Sequence, residues 1–437
     1  LLEENKNNAS NKFVEYIKTF SHGADYRNKK EIMYRIKHPI KIDDLWEIIT
    51  NYRKQNSISV SLNDQKGNNF WFYLTPYLVK KLELIDNYAS KSLLKNTEES
   101  IKSTIMFEAL IDEAFNSSAI EGAFSTKKRT KDIIEKKLTP ENISEQMIIN
   151  NYKALEFVLE NIHKPIDEDI ILSIYQILIE KTLDEDCMVD EYRNNTVWVC
   201  DPNKDEPIYI APPHTEVQLL MNKLIGFINT GDDMHPVIKS CVIHFYFVYI
   251  HPFFDGNGRT ARALSYMYLL QKGYDFFKFF SISSVVKEER MKYYKAIKDT
   301  EDYENDMTYF INYYTKMILN SIIRIQNKFI KEYGRRLIDA YLEEADIILS
   351  KRLKKAMNYY FKSDKNFVTI EEYSNKYKVV YETARTDLNQ LVAIGLFKKS
   401  KVGKKFIYKI STLEEIIQKI DNQLQQAGDN SSESPSP

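Results

Sequence analysis

At 437 residues the chain exceeds what one hydrophobic core usually serves, so two or three domains are expected. A formal net charge of -1 excludes a global field that would pull the whole molecule onto nucleic acid or an anionic membrane. With 43% hydrophobic residues but only 12 Gly and 12 Pro, the composition favours long helices over a turn-rich β architecture, and the expected fold class is all-α.

Residues 1 to about 95 form a mixed N-terminal region whose start, LLEENKNNAS, is acidic and polar and does not read as a signal peptide. Within it, SISVSLNDQKGNNFWFYLT carries a hairpin signal around Lys66 and Gly67. From about residue 100, Ile101, Ile105, Ala109, Ile111 and Phe115 recur near a 3.6-residue period and predict a helix that stops at Gly122. EQMIINNYKALEFVLENIH and EDIILSIYQILIEKTL continue the helical pattern. In TVWVCDPNKDEPIYIAPP two β-branched and aromatic runs flank a polar loop, a hairpin signal inside a helical protein. Pro236 can start a helix, and PVIKSCVIHFYFVYI is apolar enough to be a buried central one, yet too short to span a bilayer. GRTARALSYMYLLQKG predicts the next helix, ending at Gly273. Cys187, Cys200 and Cys241 share no metal-ligand spacing and read as reduced, cytosolic-type cysteines.

Between the last two helices lies HPFFDGNGRTAR, residues 251–262. Asp255 and Asn257 have the first spacing of a calcium loop, but Thr260 and Tyr266 stand where that loop needs Gly and Glu. His244 and His251 have no third ligand for zinc. Gly256, Asn257 and Gly258 instead open a helix whose backbone N–H groups and dipole can cradle an anion. Arg259 and Arg262, three apart, can clamp further phosphate oxygens, and Asp255 is a hard ligand suited to Mg2+ on a phosphate chain. His251 supplies a base with an ordinary pKa of about 6.5. Together these point to phosphoryl or nucleotidyl transfer.

The stretch resembles the signature of the Fic family, HxFx(D/E)GNGRxxR, at His251, Phe253, Asp255, Gly256, Asn257, Gly258, Arg259 and Arg262. The resemblance implies a helical core with a small β-hairpin flap, and transfer of AMP from ATP to a Ser, Thr or Tyr hydroxyl of a target protein or of the chain itself. His251 is then the general base, Asp255 the Mg2+ ligand, Gly256, Asn257 and Gly258 the anion hole, and Arg259 and Arg262 the ligands of the outer phosphates. Gly258, in place of a lysine, argues against the Doc-like reversed binding mode. The hairpin from Thr196 to Ile210 falls where the family keeps its flap, which aligns the target by β-augmentation. SSAIEG resembles the family's inhibitory motif (S/T)xxxE(G/N) through Ser117, Glu121 and Gly122, implying that Glu121 pairs with Arg262 in cis.

Near the C-terminus, RRLIDAYLEEADIILSKRLKKAMNYYF predicts a helical link to a small domain. That domain shows two short helices, the second ending at Gly395, and a basic hairpin with Gly403 at its tip, resembling a winged helix-turn-helix. The expected organisation is an N-terminal region 1–95, a catalytic domain 96–335 with its inhibitory helix near 105–122, a linker helix and winged helix 336–412, and a largely disordered tail 413–437. An alternative function is a DNA-binding regulator that senses nucleotide through its Fic domain; another is transfer of UMP or a different phosphate-linked group. The expected location is cytoplasmic, with no membrane partner, and a homodimer is among the open oligomeric states.

Overall fold

The computed structural model describes residues 13–23, 26–36, 41–90, 99–183, 191–200, 207–344, 347–362, 367–402 and 405–411. Cys187, the tip of the Thr196–Ile210 hairpin, Gly403 and the tail from residue 413 lie outside the described residues. The chain divides into two compact units, Leu1–Ile323 and Arg324–Pro437.

In the first unit α1 (Lys29–Met33) and α2 (Ile42–Gln55) precede the hairpin β1 (Ser57–Asn63) and β2 (Asn69–Tyr73), which is the hairpin expected around Lys66 and Gly67. Asp64 makes that turn, since its Oδ1 accepts from the N–H of Lys66 at 2.9 Å and of Asn68 at 2.8 Å, while Gly67 takes φ 82°. The hairpin is built into the unit. Asn63 O accepts from Tyr246 Oη at 2.9 Å, Gln65 N–H donates to Tyr249 Oη at 3.0 Å, and the Phe70 ring packs edge-on against Phe245, Tyr246 and Tyr249.

Helices α3 (Pro76–Ser90), α4 (Glu99–Ile120), α5 (Lys127–Lys136), α6 (Ile143–Glu160) and α7 (Glu168–Ile179) follow. Their starts are set by side-chain caps: Asn142 accepts from Glu145 N–H at 2.9 Å and Asp167 from Ile170 N–H at 3.0 Å. Then come the hairpin β3 (Trp198–Cys200) and β4 (Pro207–Ile210), α8 (His214–Asn229), α9 (Pro236–Ile250) and α10 (Asn257–Gln271). Pro236 occupies the first turn of α9, where its missing N–H costs nothing. Nearly every side chain of α9 is buried, as its apolar sequence requires, so the helix is the axis around which the unit packs. Helices α11 (Ile282–Glu288) and α12 (Arg290–Asp302) follow, and α13 (Thr308–Glu344) begins in this unit and runs past Ile323 into the second.

In the second unit α14 (Lys351–Lys362), β5 (Phe367–Thr369), α15 (Ile370–Tyr377), α16 (Tyr381–Ala393), β6 (Phe397–Val402) and β7 (Lys405–Ile410) surround a core that includes Leu353, Tyr373, Leu388, Leu391 and Tyr408. The sheet order is β5-β7-β6, with a capping box at Thr369 and Glu372 starting α15. The helical run expected from 335 to 361 is interrupted: α13 ends at Glu344, and Ser350 Oγ accepts from Leu353 N–H at 3.2 Å to start a new helix. No helix among the described residues is long and apolar enough to cross a membrane.

Candidate active site

The site lies on the loop between α9 and α10. His251 closes α9 in the left-handed conformation, φ 52°, which turns the chain out of the helix. Phe253 is fully buried and stacks on Tyr175 with ring centroids 3.5 Å apart, anchoring the loop. Asn257 fastens it: Oδ1 accepts from Phe253 N–H at 2.9 Å and Nδ2 donates to Phe253 O at 2.8 Å. Its side chain is thereby spent on structure, and what Asn257 can offer an anion is its backbone N–H.

Gly256, at φ 80°, turns the chain into α10. Among the described residues no acceptor is bonded to the backbone N–H of Asn257, Gly258 or Arg259, so the first turn of α10 keeps its donors and its positive dipole end free. A Cβ on Gly258 would stand 2.2 Å from Glu121 Oε1 and 3.2 Å from Arg262 Nη1. Only glycine leaves room there for a carboxylate or phosphate oxygen to approach the backbone.

The two arginines part company. Arg262 is buried and holds three bonds to α4 and the turn after it: Nε to Ser117 Oγ at 2.7 Å, Nη2 to Ser117 O at 2.9 Å, and Nη2 to Glu121 Oε1 at 2.7 Å. Its Nη1, beside Gly258, has no partner among the described residues. Arg259 is fully buried and points away, donating from Nη1 to Leu178 O at 3.1 Å and from Nη2 to Asp255 Oδ2 at 2.8 Å. It caps the last turn of α7 and steadies Asp255, whose side chain is 46% exposed. A magnesium ion that keeps most of its waters and rides on a phosphate chain fits one such exposed carboxylate beside an anion cradle.

His251 is partly buried, and loss of hydration holds its imidazole below the ordinary value of about 6.5, with Arg193 acting in the same direction against Val248 O, Glu121 and Asp255. Nδ1 lies 3.2 Å from Val248 O, which assigns the proton to Nδ1 and leaves the lone pair on Nε2. His244 is fully buried and bonded to Tyr293 Oη at 2.9 Å, a core histidine held neutral first by burial and then by Arg262.

Helix α4, which carries Ser117, is fixed from two sides. Asn151 Nδ2 donates to Ser118 Oγ at 3.3 Å, and Glu113 accepts from Ser281 Oγ at 2.7 Å and Ser283 N–H at 3.0 Å at the start of α11. Gly122, φ 97°, ends the helix. Sequence reasoning did not single out Glu113, Arg193 or Tyr209. Arg193 is 2% exposed and bonds only to carbonyl oxygens, so no charge pairing in the sequence marks it.

Residues 165–269 match the family model described as the Fic/DOC family. The chain is 28% identical over 213 residues to the protein adenylyltransferase Fic of Drosophila sechellia and, to the same degree, to that of Drosophila melanogaster. Those matches take in 47% of this chain and 40% of each relative. Among solved structures it is similar to a Fic family protein from Desulfovibrio desulfuricans, with a TM-score of 0.49, 18% identity, and coverage of 76% of this chain and 94% of that one. A Fic domain containing signaling protein from Bacteroides thetaiotaomicron aligns with a TM-score of 0.47 and 20% identity over 56% of this chain and 94% of that one. The loop thus lies inside the stretch that matches the Fic/DOC family model, and about half of the chain is similar to relatives named protein adenylyltransferase Fic.

Proposed function

We propose that the protein transfers AMP from ATP to a hydroxyl side chain of a protein, and that Glu121 holds this activity down. The observation that carries the proposal is the convergence on one small space of four groups. These are the open N-terminus of α10, the unpartnered Nη1 of Arg262, the carboxylate of Glu121 and, across the loop, a neutral His251.

The chemistry follows from what each group can do. His251 Nε2 takes the proton of the target hydroxyl, the oxygen bonds to the α-phosphorus, and the bond from that phosphorus to the bridging oxygen breaks, releasing pyrophosphate. The N–H groups of Asn257, Gly258 and Arg259 receive the charge that builds on the phosphate oxygens. Arg262 is the ligand for an outer phosphate, while Arg259 serves the nucleotide indirectly by holding Asp255. Mg2+, carried on Asp255 and the phosphates, would neutralise charge on the nucleotide. Trp198 and Ile210, paired across β3 and β4 and each 60% exposed, give the flap an apolar seat for an extended target segment.

Glu121 opposes this in two ways. It neutralises Arg262, and it fills the space over Gly258 that a phosphate oxygen needs. ATP can still enter, but with its phosphates displaced from the cradle. DNA binding by the second unit is less supported: Arg385, the one arginine of α16, is paired with Glu382 at 3.5 Å, and Lys399 is held by Asn389 at 3.3 Å.

The test is to incubate the purified chain with ATP and magnesium, alone and with cell lysate, and to read protein mass. Addition of one AMP to a protein by the Glu121→Gly variant supports the reading. Addition of UMP in parallel incubations with UTP, and none with ATP, would replace AMP by a different nucleotide.

A further inference from the structure

An α-helix ends on four carbonyls that have no partner within it. At the end of α9 each of them can be traced. Phe247 O accepts from His251 N–H at 3.0 Å, and Val248 O faces His251 Nδ1 at 3.2 Å. The remaining two are met from the flap and from the segment just before it. Tyr249 O accepts from Tyr209 Oη at 2.5 Å, and Ile250 O from Arg193 Nη2 at 3.4 Å. Beyond the helix the pattern continues: His251 O accepts from Arg193 Nε at 2.8 Å, and Pro252 O from the Arg193 backbone N–H at 2.9 Å.

The same guanidinium reaches both feet of the hairpin. Its Nη1 donates to Asn195 O at 2.7 Å, just before β3, and its Nη2 to Pro212 O at 2.5 Å, just after β4. Among the described residues no carboxylate pairs with it. A buried arginine is normally compensated by an acid; here the compensation is a ring of backbone dipoles, which only a planar fork of five donors can satisfy together.

We propose that Arg193 is a positioning residue that clamps the two feet of the flap to the carbonyl of His251, so that the hairpin that seats the target and the base that deprotonates it form one rigid body, with Tyr209 as a second, weaker clamp. The proposal rests on the transfer reading above. Its physical basis is that His251 sits at φ 52°, a conformation unfavourable for a side chain bearing Cβ, which persists only where the surroundings over-determine it. With the clamp cut, the loop has lower-energy conformations available, and displacement of a reacting group by about 1 Å can cost about a hundredfold in rate.

The experiment compares Arg193→Met, Arg193→Lys and Tyr209→Phe in the full chain carrying Glu121→Gly. Arg193→Met is expected to lower kcat by about a hundredfold while KM for ATP stays put, Arg193→Lys to recover part of that loss, and Tyr209→Phe to lose less. A second readout separates positioning from simple loss of folded protein: side-chain NMR titration of His251. Arg193 is a cation facing the imidazole; Asp255 faces it too and is unchanged in these variants, and Glu121 is absent from all of them. Removing Arg193 should therefore move the His251 titration upward, whereas partial unfolding would scale kcat and leave the titration of the folded form where it was. Unchanged kcat and an unmoved titration in Arg193→Met would overturn the clamp. If that variant does not fold, Arg193→Lys decides, and a kcat equal to that of its parent overturns it. Should the Glu121→Gly parent transfer no AMP, the transfer reading has failed on its own, and the NMR titration of His251 in the wild-type chain against Arg193→Met still tests the clamp, an unmoved titration overturning it.

Discussion

The loop between α9 and α10 has two ends, and they are finished in opposite ways. On the α9 side every terminal carbonyl has a donor within the protein, and the last residue, His251, is held in an unfavourable conformation by those bonds. On the α10 side the first three N–H groups have no acceptor among the described residues, and the carboxylate of Glu121 stands over Gly258. On the proposed reading, one end is closed so that a base stays where it is put, and the other is left open for a phosphate whose place Glu121 holds in the meantime.

The difference can be broken from either side. On the closed side, His251→Ala should cost the largest effect, about 10²–10⁴ in transfer rate, with nucleotide binding retained by calorimetry; equal loss of binding would mean that His251 holds the nucleotide instead. On the open side, Glu121→Gly should raise the basal rate about 10- to 100-fold, the range set by loss of one charge-assisted bond of about 1.5–3 kcal/mol. Glu121→Gln sharpens the point, because it removes the charge but keeps the bulk over Gly258; a rate between wild type and Glu121→Gly is expected, and a rate equal to Glu121→Gly would leave charge pairing as the whole brake.

Between the two ends, Asn257→Ala should destabilise the fold by about 1–3 kcal/mol in urea melts, since two buried backbone groups of Phe253 lose their partner; no change in midpoint would remove Asn257 from the scaffold. The smallest effect is on pH. His251 and His244 both titrate below the ordinary histidine value in the folded state, so the unfolded chain binds more protons as pH falls through about 6.5. Their contribution to stability is complete above that value and lost as pH drops through the folded pKa values. Melting temperature should be insensitive to these groups above neutrality and decline below, and His244→Phe should flatten part of the decline.

The sequence made one strand of this account readable and hid another. The run from His251 to Arg262 is contiguous, and its glycines, acid and arginines announce an anion site, because local backbone geometry dictates which residues can stand there. The helices were readable from their apolar period, and so was the N-terminal hairpin around Lys66 and Gly67. Ser117 and Glu121 meet Arg262 across 145 and 141 positions, a contact that no local pattern encodes and that came only with the family resemblance. Arg259 looked equivalent to Arg262 in the sequence; the fold separates them because the C-terminal carbonyl of α7 lies within reach of one and α4 within reach of the other. Arg193 was hidden for a different reason. Its partners are carbonyl oxygens, which every residue carries, so its role exists only once the chain has folded.

The most direct test of the central claim is intact-mass measurement after incubation with ATP and magnesium of three proteins: wild type, Glu121→Gly, and Glu121→Gly combined with His251→Ala. The account predicts an AMP adduct, on the chain itself or on protein in an added lysate, that is abundant only with the Glu121→Gly single variant. Equal modification by wild type and Glu121→Gly would contradict the brake, and modification by the double variant would contradict the base.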